Sequence, residues 1–102
     1  MGHTIEVIIT FDAEIWTVPE MGAWHFVSLP ADSADEIRAT VEPGPGFGSI
    51  RVSVSIDETE WQTSIFPDSK RGTYVLPVKK AVRRSVGAAE GDVVTVTVEI
   101  IR

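Results

Sequence analysis

Six of the nine cationic side chains lie in one short part of the chain, 67–85, which holds a single carboxylate. They are Lys70, Arg71, Lys79, Lys80, Arg83 and Arg84. Such a cluster binds anions, for example a phosphate metabolite, nucleic acid or an acidic protein. The alternative is pairing within the protein, because fourteen carboxylates lie elsewhere in the chain. We predict an anion patch at these six residues, and the net charge of −6 makes nucleic acid the less favoured ligand.

The other polar residues do not follow a pattern typical of metal binding or catalysis. His3 and His25 are far apart in sequence, and the chain has no cysteine, so no metal-ligand spacing is present. The hydroxyl groups of Ser49, Thr63 and Ser64 have no neighbouring base and no nucleophile elbow. The carboxylates are scattered, which is typical of solvated turns. We therefore expect no catalytic residue, no metal and no cofactor.

Aromatic residues near the cationic segment suggest a second kind of site. Trp61, Thr63 and Tyr74 are candidates for a pocket, or for a stacking surface beside the cationic helix. In a small β-barrel, however, large aromatic side chains more often fill the interior. Both interpretations stay open at the level of sequence.

The cationic residues lie in a strand–turn–strand–helix segment. Aromatic and β-branched residues predict strands over 61–66 and 73–78, joined by a turn at Pro67–Gly72. Pro77 should end strand pairing because it has no N–H group to donate. Apolar residues at positions 78, 81, 82 and 86 then predict a helix that presents its cations on the opposite face, with Gly87 as the C-terminal cap.

The rest of the chain alternates between short strands and one further helix. Strands are predicted over 4–13, 24–29, 48–56 and 93–101, with the facing of the last one ambiguous. A helix should begin at Ala31–Ser33 with Asp32 or Ser33 as its N-cap, and Pro43–Gly46 should end it.

Length and composition limit the class of protein. A chain of 102 residues with 43% hydrophobic residues forms one domain, 1–102, with a modest core. No apolar run is long enough to span a bilayer, and the N-terminus does not resemble a signal peptide. With no cysteines, these features are compatible with a cytoplasmic protein.

Two parts of the sequence repeat the same order of features. An aromatic residue, Val, Leu-Pro, a helix, a glycine and an alternating strand follow one another from Phe26 to Ile56. The same order recurs from Tyr74 to Ile100, with Gly91 in the place of Gly48. We predict an internal duplication that builds a barrel from two interleaved halves.

Several motifs resemble those of the DUF1905 family, a bacterial and archaeal family of uncharacterised domains. They are Trp24-His-Phe-Val-x-Leu-Pro30, Phe47-Gly-Ser-Ile50, Trp61-x-Thr-Ser-Ile-Phe-Pro67, Gly72-Thr-Tyr-x-Leu-Pro-Val-Lys79 and Val82-Arg83. The resemblance covers roughly residues 4–101. It implies a double-split β-barrel with short helices, an architecture shared with AbrB- and MazE-like proteins.

The resemblance also bears on partners. AbrB-like barrels are usually dimers of half-length chains, and many bind DNA. Here one chain holds both halves, so a barrel needs no partner, and we expect a monomer or a weak dimer. Relatives are often fused to a further C-terminal helical domain, which makes a structural accessory domain one alternative.

The sequence therefore predicts an all-β-dominated split pseudobarrel of six to seven strands, capped by two short helices. Our first functional hypothesis is a non-enzymatic binding module for an anionic ligand or an acidic protein partner. The second is a metabolite-binding regulatory domain, or an enzyme, with a pocket inside the barrel around Trp61, Thr63, Tyr74 and Arg83.

Overall fold

A computed structural model describes residues 7–22, 24–40 and 48–101. The strands are β1 (Ile8–Glu14), β2 (Trp16–Thr17), β3 (His25–Ser28), β4 (Ile50–Ile56), β5 (Thr59–Asp68), β6 (Thr73–Pro77) and β7 (Val93–Ile100). The helices are α1 (Ala31–Thr40) and α2 (Lys80–Val86), and a 3₁₀ turn covers Pro19–Met21. No helix in the described ranges is both long and apolar enough to cross a membrane.

The strands form one curled, barrel-like sheet, as the sequence predicted. Their order is β1-β7-β4-β5-β6-β3-β2, and every neighbouring pair is antiparallel. β5 is long enough to change partner along its length: its residues 59–65 pair with β4, and its residues 66–68 pair with β6. The prediction of an all-β-dominated fold with two short helices is therefore confirmed.

The segment that forms β1 and β2 also changes its partner strand along its length, as β5 does. β1 pairs with β7 and β2 pairs with β3, and the break between them falls at the buried residue Ile15. The Ile15 N–H donates to the Asp92 carbonyl, and the Gly91 N–H donates to the Ile15 carbonyl, both at 2.9 Å. The chain is therefore tied to the start of β7 at the point where it leaves one partner for the next.

Alternating side chains build the core on the concave side of the sheet. In β4 the four apolar residues are buried, while the polar residues between them are exposed or half-buried, as the strict alternation predicted. Val96, Val98 and Ile100 of β7 are also buried, which settles the facing of this strand. Burying one such side chain contributes about 1.5–3 kcal/mol relative to an exposed position.

Each helix adds a short apolar face to this core. α1 contributes Ala34 and Ile37, and α2 contributes Val82 with the partly buried Val86. Gly87 caps α2 as predicted: its φ of 68° is left-handed, and its N–H donates to the carbonyl of Arg84 at 3.3 Å.

Several predicted boundaries were wrong. Pro67 and Asp68 are not in the turn but extend β5, opposite Tyr74 and Thr73, because β5 beyond Ile65 pairs with β6 alone and tolerates a proline. α2 begins at Lys80 rather than at residue 78, since the Val78 N–H donates to the His25 carbonyl of β3 at 2.9 Å.

The predicted N-cap of α1 and one predicted core residue of α2 were also wrong. α1 begins at Ala31, directly after Pro30, so Asp32 and Ser33 lie inside its first turn and neither is the N-cap. Ala81 of α2 is exposed and does not join the apolar face. The expectations for residues 4–6, for the helix end at 43–46, for the motif start at Phe47 and for His3 lie outside the described residues.

Candidate functional site

A cleft opens between the start of β3 and the first turn of α2, and we call it the α2 cleft. It has a volume of about 270 Å³ and is lined by Trp24, His25, Pro77, Val78, Lys79, Lys80 and Arg83. Its position follows from the sheet, because β3 and β6 are antiparallel neighbours with Phe26 opposite Pro77. Pro77 ends β6, and the chain turns there into α2, so the cations of the helix come to lie beside the start of β3.

Arg83 is held in a defined orientation at the edge of the α2 cleft. Its Nε–H donates to the carbonyl of Val78 at 3.1 Å, and its Nη1 lies 3.3 Å from Nε2 of His25. A guanidinium group has donors and no acceptor, so in this contact Arg83 is the donor and Nε2 of His25 is the acceptor. Both side chains are half-buried, which limits their mobility.

Trp24 belongs to a stack of aromatic rings. Its ring lies nearly parallel to that of Phe26, at 16° with centroids 5.9 Å apart, and Phe26 in turn stacks on Trp16 at 4.9 Å. The guanidinium carbon of Arg71 lies 3.9 Å from the Trp16 ring centroid and closes the other end of the stack. Trp24 remains 53% exposed, so its indole ring is supported by the stack and still open to the cleft and to solvent.

The structure divides the six predicted anion-binding residues into two groups. Lys79, Lys80 and Arg83 line the α2 cleft. Arg84 lies with Lys80 and Arg83 around a second, shallower hollow of about 350 Å³ at the C-terminal end of α2. Lys70 and Arg71 lie instead in the turn between β5 and β6.

Asp68 pairs with one of the two turn cations, Arg71. Its carboxylate pairs with the Arg71 guanidinium at 2.9 Å and accepts the backbone N–H groups of Lys70 and Arg71. Burial alone would raise the pKa of Asp68, but these hydrogen bonds outweigh it and hold the pKa below its ordinary value. Arg71 therefore has an ion pair and a stacking partner, as the intramolecular alternative expected for the whole cluster.

The cations of α2, unlike Arg71, have no ion pair with a described carboxylate. In the described part of the chain, ion pairs join Arg71 to Asp68 and Arg38 to Asp35, and neither pair includes a cation of α2. The α2 cleft is thus an apolar hollow with a positively charged rim. Such a surface can bind an anion by charge and by hydrogen bonds from the guanidinium group.

The second predicted site, the possible pocket at Trp61, Thr63 and Tyr74, lies apart from the lining of the α2 cleft. Trp61 and Thr63 lie opposite Val54 and Val52 of β4, and both are half-buried, Trp61 against the core. Tyr74 is buried at 5% exposure, with the guanidinium of Arg38 5.6 Å from its ring centroid. None of these three residues is among those that line the α2 cleft, and their role as a pocket stays a prediction.

The predicted site residues did not include Trp24 or His25, although Trp24 is one of the aromatic residues that could line a pocket. The sequence did contain a signal. Trp24 precedes a strand that leads into Leu29-Pro30, just as the strand before the basic helix ends in Leu76-Pro77. In the described ranges, no group of three or more His, Asp or Glu side chains is placed to hold a metal ion.

A family model described as "Domain of unknown function (DUF1905)" matches residues 11–98. The chain belongs to this family. All of the residues that line the α2 cleft fall within the matched range. A comparison with curated proteins finds no match. The DUF1905 description assigns no activity.

Proposed function

We propose that this DUF1905 domain is a binding module for an anionic ligand, and that the ligand binds in the α2 cleft. The observation that supports the proposal most strongly is the set of cations at the rim. Lys79, Lys80 and Arg83 surround an apolar hollow, and no carboxylate of the described residues pairs with them.

This arrangement is unfavourable for the folded protein by itself. Lys80 lies three and four residues before Arg83 and Arg84, and like charges at these spacings repel. Lys80 is also in the first turn of the helix, where the helix dipole disfavours a cation. A cluster that costs stability in the unliganded protein is typical of a site whose charges are neutralised by a ligand.

The other half of the domain provides an internal comparison. We infer that the two halves are copies, because their corresponding strands are neighbours in the sheet: β4 pairs with β7 on one side of β5, and β3 pairs with β6 on the other. In the first copy, Arg38 of α1 pairs with Asp35 at 3.0 Å and donates to the Gly72 carbonyl. In the second copy, Arg83 meets His25 and a carbonyl instead of a carboxylate. Of these two helix arginines, Arg83 alone lacks a carboxylate partner among the described residues.

The lining of the α2 cleft favours binding over chemistry. The described residues that line it offer one imidazole, three cations and apolar surface, and none of them carries a carboxylate or a hydroxyl group. The alternative of a metabolite-binding regulatory domain is compatible with this site, which then takes the place of the pocket predicted around Trp61, Thr63 and Tyr74. Because both halves of the sheet come from one chain, we expect the module to act as a monomer or weak dimer.

An amide-resolved NMR titration at two salt concentrations tests the proposal. Inorganic phosphate, mononucleotides and mixed-sequence oligonucleotides are added separately. We expect salt-sensitive shifts at His25 and over residues 78–84, with Arg71 unaffected because Asp68 already pairs with its guanidinium group. A preference for duplex DNA would show as an affinity that falls with a slope near −0.9 per phosphate neutralised. No shifts over 78–84 with any anion would reject the proposal.

A further inference from the structure

We propose that the ligand of the α2 cleft is a small planar aromatic anion. Its ring stacks on Trp24, and its carboxylate or phosphate lies against Lys79, Lys80 and Arg83. This inference rests on the proposed anion-binding function and adds a second requirement, an aromatic ring.

The exposure of Trp24 is the first argument. More than half of its surface is accessible at 53%, although a tryptophan side chain gains more free energy from burial than most others. The ring is nevertheless fixed, because Phe26 supports one face and Trp16 supports Phe26. Arg71 covers Trp16 at the opposite end, so Trp24 is the end of the stack that a further ring can extend. A preorganised aromatic surface binds a planar group with little loss of conformational entropy.

The size of the cleft is the second argument. A volume of about 270 Å³ lies just below the range for ligand pockets, about 300–1,000 Å³. Pro77 and Val78 give the cleft an apolar lining beside Trp24. This combination fits one or two fused rings with a single anionic group better than it fits a polymer.

The hydrogen-bonding capacity of Arg83 is the third argument. A guanidinium group has five N–H donors, and Arg83 directs one to Val78 and one to His25. The remaining donors have no partner among the described residues and are available to an anion. His25 therefore acts as a positioning residue, because it orients the guanidinium group without itself having to bind the ligand.

A matched set of compounds tests the inference by isothermal titration calorimetry. The set consists of 2-naphthoate, the neutral 2-naphthalenemethanol, the non-planar cyclohexanecarboxylate and inorganic phosphate. We expect 2-naphthoate to bind about tenfold more tightly than cyclohexanecarboxylate and phosphate, since stacking on one aromatic side chain contributes a factor of this order. It should also bind more tightly than 2-naphthalenemethanol, which has the same ring but lacks the charge that the cations attract.

Two substitutions separate the ring from the charge. Trp24→Leu keeps an apolar side chain but removes the planar face, so it should abolish the preference for 2-naphthoate over cyclohexanecarboxylate and leave phosphate binding unchanged. Arg83→Gln should weaken all three anions. Phe66→Leu is the matched control, because Phe66 is another exposed aromatic residue, at 42%, and does not line the cleft. Thermal unfolding of each variant establishes that it is folded.

The outcomes distinguish the two proposals. If cyclohexanecarboxylate binds as tightly as 2-naphthoate, and Trp24→Leu changes neither, the aromatic requirement is overturned and the anion-binding function stands. If 2-naphthalenemethanol binds as tightly as 2-naphthoate, the cations do not contribute, and both proposals fail. If His25→Gln, which retains an acceptor, preserves the affinity while His25→Ala loses it, the positioning role of His25 is supported.

Discussion

Substituting Lys80 with glutamine should make the unliganded domain more stable. Lys80 is exposed in the first turn of α2, three residues before Arg83 and four before Arg84. Removing two like-charge neighbours gains about 0.2–0.5 kcal/mol each. Removing a cation from the first turn adds about 0.3–1 kcal/mol. Lysine and glutamine have similar helix propensities, so little else changes, and the expected gain is about 1 kcal/mol.

Urea unfolding followed by far-UV circular dichroism measures this difference directly. The midpoint should rise for Lys80→Gln while the slope stays unchanged, because the surface exposed on unfolding is nearly the same. High salt screens the repulsion between exposed charges. The advantage of the variant should therefore shrink as sodium chloride is raised toward about 1 M, where the Debye length is about 3 Å.

Arg38→Gln is the matched control in the other helix. Arg38 is also an exposed cation, but it pairs with Asp35, donates to the Gly72 carbonyl and lies over the ring of Tyr74. Its removal should destabilise the domain by about 1 kcal/mol. A clear loss of stability in Lys80→Gln, comparable to that of Arg38→Gln, would show that Lys80 is paired in solution and would refute the reasoning for an unneutralised cluster.

Three further substitutions test other parts of the structure. Asp68→Asn should destabilise the domain at pH 6, because the lowered pKa of Asp68 contributes stability above the unfolded value of about 3.9. That stability is lost as the pH falls through the folded pKa, so urea unfolding over a pH series should show the difference between the two proteins shrinking below about pH 3.9. Leu76→Ala should cost about 2–5 kcal/mol because Leu76 is fully buried, whereas Phe66→Ala at an exposed position should cost much less; equal midpoint shifts would contradict the assignment of the core. Arg71→Ala should lower the unfolding free energy by about 1 kcal/mol through lost stacking and ion pairing, with unchanged ligand affinity in calorimetry; a loss of affinity would place the turn cations in the site.

Local signals were sufficient to predict much of the fold. The strict alternation of β4, the proline at the end of β6 and the glycine after α2 each have a physical cause within a few residues. Even so, the sequence pattern wrongly predicts that Pro67 belongs to the turn. A proline and an aspartate usually indicate a turn, and the sequence does not show that β5 changes partner after Ile65 and continues as a strand along β6.

The site was less predictable because it depends on contacts between distant parts of the chain. The cations of α2 were recognisable from their clustering. That His25 would orient Arg83 follows from the antiparallel pairing of β3 with β6, which brings together residues 58 positions apart. That Asp68 would neutralise Arg71, but no described carboxylate would neutralise α2, depends in the same way on tertiary placement.

The most direct test of anion binding in the α2 cleft is the NMR signal of the Arg83 Nε–H group. This group donates to the Val78 carbonyl in the unliganded domain and lies at the edge of the cleft. An Arg83→Lys variant assigns the signal in a ¹⁵N–¹H correlation spectrum. We predict that 2-naphthoate or phosphate shifts the Arg83 signal in a saturable manner and leaves the signals of Arg38 and Arg71 in place. An unmoved Arg83 signal at saturating anion, or equal shifts of all three arginines, would contradict a specific site in the α2 cleft.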